Sequence, residues 1–153
     1  MDPHKTTQQK SENYLWHKTD DIMRRRGYSP EYILYRQVAY YLKVQYPKVI
    51  YRFDYAGLSH TKAQAGQMKA IQHGKGYPDL TILEKRNGYG ALFIEIKPEG
   101  TKLYKKNGEP TTPHIAEQLN YLLDLEVRGY CIAFGVGFDN IKRIIDKYLK
   151  SEL

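Results

Sequence analysis

Two short apolar segments of the chain carry charged residues among side chains that normally fill a protein core. Residues 77–80 read Tyr-Pro-Asp-Leu, and residues 93–97, which follow an Asn-Gly pair, read Phe-Ile-Glu-Ile-Lys. Pro78 cannot donate to a sheet ladder, which suits the start of a strand, and Asn-Gly favours a tight hairpin turn. The pattern predicts a hairpin that carries Asp79, Glu95 and Lys97 near one another.

Strand geometry limits how these three charges can meet. Successive side chains of a strand alternate between faces, so Glu95 and Lys97 share one face. A two-residue Asn-Gly loop would place Asp79 opposite Ile96 and therefore on the other face. A shared site requires an odd-length loop or a bulge, for which Gly90 is a candidate position.

With that register, Asp79 and Glu95 form a hard oxygen site of the kind that Mg²⁺ or Mn²⁺ prefers. Lys97 would lie beside the ion. An isolated Glu-x-Lys pair is more often a solvated surface ion pair, which contributes little to stability. The combination of a Pro-Asp strand start, a turn and a Glu-x-Lys strand between core residues is more specific, and it favours a metal site.

The rest of the chain alternates helices and strands in the manner of an α/β protein. Apolar spacing, proline positions and capping residues set the boundaries. They predict helices from Pro30 to about residue 47, over 61–71, over 113–128 and from a cap at Asp139, and strands over 49–54, 78–83, 91–97 and 130–136. The helix over 113–128 should connect two parallel strands with the usual right hand. We expect a mixed central sheet flanked by helices.

Composition indicates one folded domain. The 153 residues, 41% of them hydrophobic, suffice for one sizeable core and are too few for two ordinary domains. Residues 1–28 are mostly polar and are interpreted as an N-terminal extension, which leaves residues 29–153 as the domain. The single cysteine, Cys131, excludes an intrachain disulfide and a zinc site built from several thiolates.

The charge balance favours a polyanionic partner. There are 24 Lys plus Arg against 17 Asp plus Glu, a formal net charge of +7, which suits binding to nucleic acid or to an acidic membrane surface. No stretch approaches the roughly 18 apolar residues needed to span a bilayer. The first residues lack the apolar run of a secretory signal. We expect a cytoplasmic protein with no membrane association.

The motifs resemble those of the VRR-NUC nucleases, within the PD-(D/E)xK superfamily of restriction-endonuclease-like enzymes. Gly76 stands two residues before Pro78, as in the family's Gly-x-Pro-Asp-Leu motif, and residues 93–97 resemble its Glu-x-Lys strand. The resemblance covers about residues 29–150 and is closest to the compact stand-alone members of phages. It implies a restriction-endonuclease-like αβββαβ core, and a host cytoplasm if the chain comes from a phage.

The resemblance also implies roles for particular residues. Gln118 resembles the family's helical glutamine, and Glu31 resembles its upstream acidic residue. The first turn of a helix favours an acid in any case, because of the helix dipole. The implied catalytic residues are Asp79, Glu95, Lys97, Gln118 and Glu31, and the implied metal ligands are Asp79, Glu95, Glu31 and the carbonyl of Ile96. Candidate DNA-binding lysines are Lys69, Lys75, Lys102, Lys105 and Lys106.

The predicted function is therefore metal-dependent hydrolysis of DNA phosphodiesters, with branched DNA, such as a Holliday junction, as the favoured substrate. A non-catalytic nucleic-acid-binding module and a sequence-specific restriction-type endonuclease are the alternatives. Paired incisions are most simply made by two subunits, so we expect a homodimer. Apolar residues of the extension are candidate interface groups, namely Leu15, Trp16, Ile22 and Met23.

Overall fold

A computed structural model describes residues 18–54 and 60–152 of the chain. Four helices and four strands form the domain, and a further short helix over residues 18–25 precedes them. In chain order the elements of the domain are α1 (Pro30–Gln45), β1 (Tyr51–Phe53), α2 (Lys62–Ala70), β2 (Leu80–Ile82), β3 (Leu92–Lys97), α3 (Pro113–Glu126), β4 (Cys131–Val136) and α4 (Phe138–Leu149). The predicted element order is confirmed, and the observed strands are shorter than predicted at β1 and β2. No helix within the described residues is long and apolar enough to cross a membrane.

The strands form one mixed sheet in the order β1-β2-β3-β4. The first two pairings are antiparallel, and β3 pairs with β4 in parallel. Helix α3 makes the connection between β3 and β4, because parallel neighbours cannot be joined by a tight turn. The predicted mixed sheet with flanking helices is confirmed.

Alternating side chains of β3 divide the core into two parts. Leu92, Ile94 and Ile96 belong to the larger cluster, which contains the inner faces of α1 and α4. Phe93 and Ala91 point the other way and pack with residues of α3 and β4. The sheet therefore separates α1 and α4 from α3, and odd-numbered residues of β3 face α3.

Local capping explains where most helices begin. The hydroxyl of Ser29 accepts a hydrogen bond from the Tyr32 amide at the start of α1, and Thr112 accepts one from Ile115 at the start of α3. The predicted cap at Asp139 is wrong, since α4 begins directly after Gly137. The chain turns there from β4 into α4 with a φ of 74° at Gly137, a conformation that glycine adopts without strain.

The hairpin between β2 and β3 closes with the predicted two-residue turn. Asn87 and Gly88 have φ values of 55° and 82°, as a type I′ turn requires. Arg86 and Tyr89 pair on either side of it.

The register changes by one residue between this turn and the strands. Ile82 pairs with Leu92, so three residues, 83–85, separate it from the turn pair, whereas only residues 90 and 91 do so on the other side. The expected irregularity is present, but the extra residue lies in 83–85 and not at Gly90. The last observed pair is Leu80 with Ile94. The same register, extended by one residue, puts Asp79 opposite Glu95.

Part of the predicted N-terminal extension packs on the domain. Residues 18–25 are helical, and the amide of Gln37 in α1 donates a hydrogen bond to Asp20 at 2.5 Å. Met23 is buried and contacts the guanidinium of Arg36. Met23 is therefore wrong as a candidate interface residue, whereas Ile22 is exposed. Leu15 and Trp16 lie outside the described residues.

Candidate active site

Asp79 is fixed at the start of β2 by hydrogen bonds to both of its carboxylate oxygens. Its Oδ2 accepts from the backbone amide of Ile96 at 2.7 Å, and its Oδ1 accepts from the hydroxyl of Tyr35 at 2.5 Å. The side chain is buried. The hydrogen bond from the Ile96 amide holds Asp79 to β3, and the hydrogen bond from the Tyr35 hydroxyl holds it to α1. The carboxylate therefore has little freedom to rotate.

Glu95 lies on the α3 face of β3 and is also buried, with only 2% of its surface exposed. Its Oε1 accepts from the ammonium of Lys97 at 3.1 Å and from the side-chain amide of Gln118 in α3. Lys97 of the same strand and Gln118 of α3, both predicted site residues, therefore meet at one carboxylate oxygen.

Burial and a neighbouring acid make the charged form of Glu95 costly. Burial is the larger cause, and the negative charge of Asp79 adds to it, while Lys97 acts in the opposite direction. Together they raise the pKa of Glu95 to about 8. Glu95 consequently holds a proton near neutral pH unless a cation replaces it.

Tyr35 connects Asp79 with the predicted acid Glu31. Its hydroxyl lies 3.1 Å from Oε1 of Glu31 as well as close to Asp79. A hydroxyl has one hydrogen to donate, so the second contact is satisfied only when Glu31 carries a proton. Burial, followed by the charge of Asp79, raises the pKa of Glu31, and burial and both acids raise the pKa of Tyr35. Glu31 therefore lines the same cleft as Asp79 and Glu95 and is linked to Asp79 through the Tyr35 hydroxyl.

The described residues include no group of three or more His, Cys, Asp and Glu side chains placed to hold one metal ion. The donor set nevertheless fits a hard cation. The N–H and C=O groups of one strand residue point to the same side, so the carbonyl of Ile96 faces the side on which its amide meets Asp79. The buried Oε1 of Gln118 has no hydrogen-bond partner, which an ion or its water shell would supply.

An open cleft of about 520 Å³ gives access to these groups. Of the five candidate DNA-binding lysines, Lys75 lines the cleft. Lys69 is exposed on α2, and Lys102, Lys105 and Lys106 are exposed on the loop between β3 and α3, where Lys105 lies 3.5 Å from Glu109. These four lysines do not line the cleft, so any contact that they make with DNA would lie outside it.

Sequence reasoning missed two residues of this site. Tyr35 stands four residues after Glu31, which places both on one helix face, and that spacing was the available signal. Asp54 follows β1 and lines the cleft, and the alternation of residues 49–54 gave no sign of it. The cleft is also lined by His114, whose Nδ1 lies 4.0 Å from Oε2 of Glu117.

A solved structure titled "VRR_NUC domain protein" has the same architecture. It superposes with a TM-score of 0.53 at 27% sequence identity, and the match covers 80% of this chain and 90% of the other. The chain has the VRR-NUC fold. This is the fold of a nuclease-domain family, and its mixed sheet and flanking helices are restriction-endonuclease-like, as the sequence predicted. No protein-family model matches the sequence, and no curated protein matches it.

The VRR-NUC fold accounts for the position of the site. The cleft opens where β2 begins and β3 ends, and α1 and α3 supply Tyr35 and Gln118 from opposite sides of the sheet. Each of the four elements contributes a side chain to one contact network. The site therefore depends on the whole core and not on a single loop.

Proposed function

We propose that this protein is a metal-dependent endonuclease that hydrolyses DNA phosphodiesters, with Mg²⁺ or Mn²⁺ held by Asp79, Glu95 and the carbonyl of Ile96. The observation that carries the proposal is the contact of Lys97 and Gln118 with Glu95, directly across the hairpin from Asp79. Two buried acids beside one lysine are costly for folding. The two acids would offset that cost by binding a cation, which in turn binds a phosphate of the substrate.

Each side chain of the candidate site has its own proposed role. Asp79 and Glu95 supply negative oxygens in fixed positions, and Gln118 and Tyr35 orient them. When bound, the divalent ion would act as a Lewis acid on the phosphate and promote deprotonation of water. The ammonium of Lys97, which contacts Glu95, would hold the attacking water and stabilise charge that grows on the phosphate. Glu31 acts on Asp79 through Tyr35.

Substrate binding is assigned to positive charge around the cleft. Lys75 lines the cleft itself, and the net charge of +7 attracts the DNA backbone. Lys69, Lys102, Lys105 and Lys106 are exposed and would contact phosphates outside the cleft. Such contacts position a duplex without reading its sequence, which fits a structure-specific enzyme better than a restriction-type enzyme.

The decisive experiment replaces Glu95 by glutamine, which keeps the size of the side chain and removes its charge. Wild-type protein should cleave linear, flapped or four-way-junction DNA in Mg²⁺ or Mn²⁺, and Glu95→Gln should reduce the rate by more than about 100-fold, since loss of a ligand should exceed the 10- to 100-fold effect of an outer contact. Binding to DNA in EDTA should be unchanged.

Glu126→Gln is the matched control, because Glu126 is exposed at the end of α3. It should cleave as the wild type does. Undiminished cleavage by Glu95→Gln, with a native melting curve, would remove Glu95 from the site. Binding without cleavage by the wild type in either metal would favour the non-catalytic module.

A further inference from the structure

A second cavity, of about 410 Å³, adjoins the cleft. Its size falls within the roughly 300–1,000 Å³ typical of pockets that enclose a small organic group. Asp54, Gln72, Gly74 and Tyr77 line both cavities. The two cavities are therefore neighbours with a common wall, and a strand whose phosphate lies in the cleft could place its next nucleotide in the second cavity.

The cavity exists because α3 covers only part of its sheet face. Phe93 of β3 lies beneath α3, whereas Arg52 of β1 and Thr81 of β2, which are paired and face the same side, line the cavity. The segment after α2 forms another wall. Exposed apolar surface remains there at Leu83 and Ile71.

The cavity wall is aromatic, and its rings hold one another in place. The ring of Tyr121 in α3 meets that of Tyr77 edge to face at 5.9 Å and that of His73 at 6.5 Å. Tyr77 is anchored further by contact with Phe93 and by a hydrogen bond between its hydroxyl and Thr81. Fixed aromatic rings of this kind offer stacking surfaces with little entropy left to lose.

We propose that this cavity binds an unpaired nucleobase of the DNA substrate, with Tyr121 stacked on the base and Arg52 near its phosphate. The inference rests on the proposed function and specifies its substrate class as DNA with unpaired nucleotides beside the cut. A base inside a duplex is stacked on both sides and cannot enter a pocket of this shape. Aromatic stacking with a positive groove is how proteins hold single strands regardless of sequence.

The test is binding in EDTA, where hydrolysis does not occur. One probe is a duplex with a five-nucleotide single-stranded tail that carries 2-aminopurine, whose fluorescence is quenched by stacking, and the other is the blunt duplex. Wild-type protein should bind the tailed duplex about tenfold more tightly, the effect expected for one stacked base, and should quench the probe.

Two variants separate stacking from charge. Tyr121→Ala should abolish both the tail preference and the quenching, and Tyr121→Phe should retain them. Arg52→Ala, at an exposed position, should keep a native melting curve and weaken binding of the tailed duplex more than that of the blunt one. Arg143→Ala is the matched control, since Arg143 is exposed on α4 beyond the other face of the sheet.

Equal wild-type affinity for tailed and blunt duplexes would overturn the proposal, as would unchanged quenching in a natively melting Tyr121→Ala. Different results would contradict the proposed nuclease function and the proposed base pocket. A wild-type protein that cleaves tailed and blunt DNA equally retains the nuclease and loses the base pocket, whereas tail preference without any cleavage retains the pocket and loses the nuclease.

Discussion

Glu95 shows what a single residue contributes to the balance between stability and function. Its folded-state pKa of about 8 exceeds the ordinary value of 4.5, so the folded protein holds a proton that the unfolded chain releases. The stabilisation that the folded protein gains by keeping Glu95 protonated is fully present below about pH 4.5. It is lost as the pH rises through about 8. In EDTA, urea unfolding should therefore show falling stability from pH 5.5 to 8.5.

Glu95→Gln provides the comparison for that pH dependence, because the amide does not titrate. The variant should lose most of the decline and become more stable than the wild type near pH 8.5. The same decline in both proteins would mean that other groups cause it. Adding Mg²⁺ or Mn²⁺ should stabilise the wild type most at the higher pH, since a cation and a proton compete for the pair.

Tyr35 tests whether the site depends on residues that orient its acids. Tyr35→Phe removes the hydroxyl bonded to Asp79 and keeps the ring, which packs against Phe53 with centroids 5.1 Å apart. We expect cleavage and metal affinity to fall about 10- to 100-fold, measured by initial rates and by calorimetric titration with Mn²⁺. Tyr51→Phe, which loses a hydroxyl bonded to the Ala39 carbonyl, should leave both unchanged.

At the scale of elements, the hairpin shows what sequence reasoning could reach. The Asn87-Gly88 turn was predictable because its positive φ angles favour those residue types. Strand alternation showed that a site shared by Asp79, Glu95 and Lys97 would require a register change. Alternation did not show the place of that change, since residues 83–85 carry no glycine or proline to mark it, and β2 is held as much by its pairing with β1 as by the turn.

Two glycines offer a matched pair of substitutions in different elements. A Cβ at Gly135 of β4 would lie 2.5 Å from Cγ1 of the buried Ile141 and 3.1 Å from Cγ2 of Ile94, so Gly135→Ala should cost about 1–3 kcal/mol of stability through overpacking. Gly66 in α2 has open space around it, and Gly66→Ala should stabilise the protein by about 0.5–1 kcal/mol. Denaturant unfolding decides both. Stabilisation by Gly135→Ala would contradict the packing of α4 on β4, and destabilisation by Gly66→Ala would contradict the open surroundings of that position in α2.

At the scale of the whole molecule, the sequence predicted the order of elements well because each has its own apolar period and caps. Motif resemblance, together with the alternation of side chains along the strands, predicted that Asp79, Glu95, Lys97 and Gln118 lie in one site. Sequence reasoning did not find Tyr35 or the aromatic cavity. Those depend on how α1, α3 and the segment before β2 approach the sheet, which is a long-range property of the fold.

Oligomeric state belongs to this scale and stays a prediction. Two incisions require two centres, and each chain has one Asp79/Glu95 pair, so we propose that the protein acts as a homodimer. Light scattering after size exclusion should give twice the 17.9 kDa of the chain. A mass of one chain at micromolar concentrations, with and without branched DNA, would replace paired incision by nicking of one strand.

Strand β4 has a consequence for the handling of the protein. It lies at the edge of the sheet that the described residues form, and its six residues, Cys131–Val136, include no charge and no proline. Uncharged edge strands of high β propensity are templates for aggregation. The positive charge of the molecule opposes such contact by mutual repulsion, which salt screens. Concentrated stocks should therefore scatter more light as salt is added, and high ionic strength, the usual means of removing bound DNA, would expose the protein to self-association.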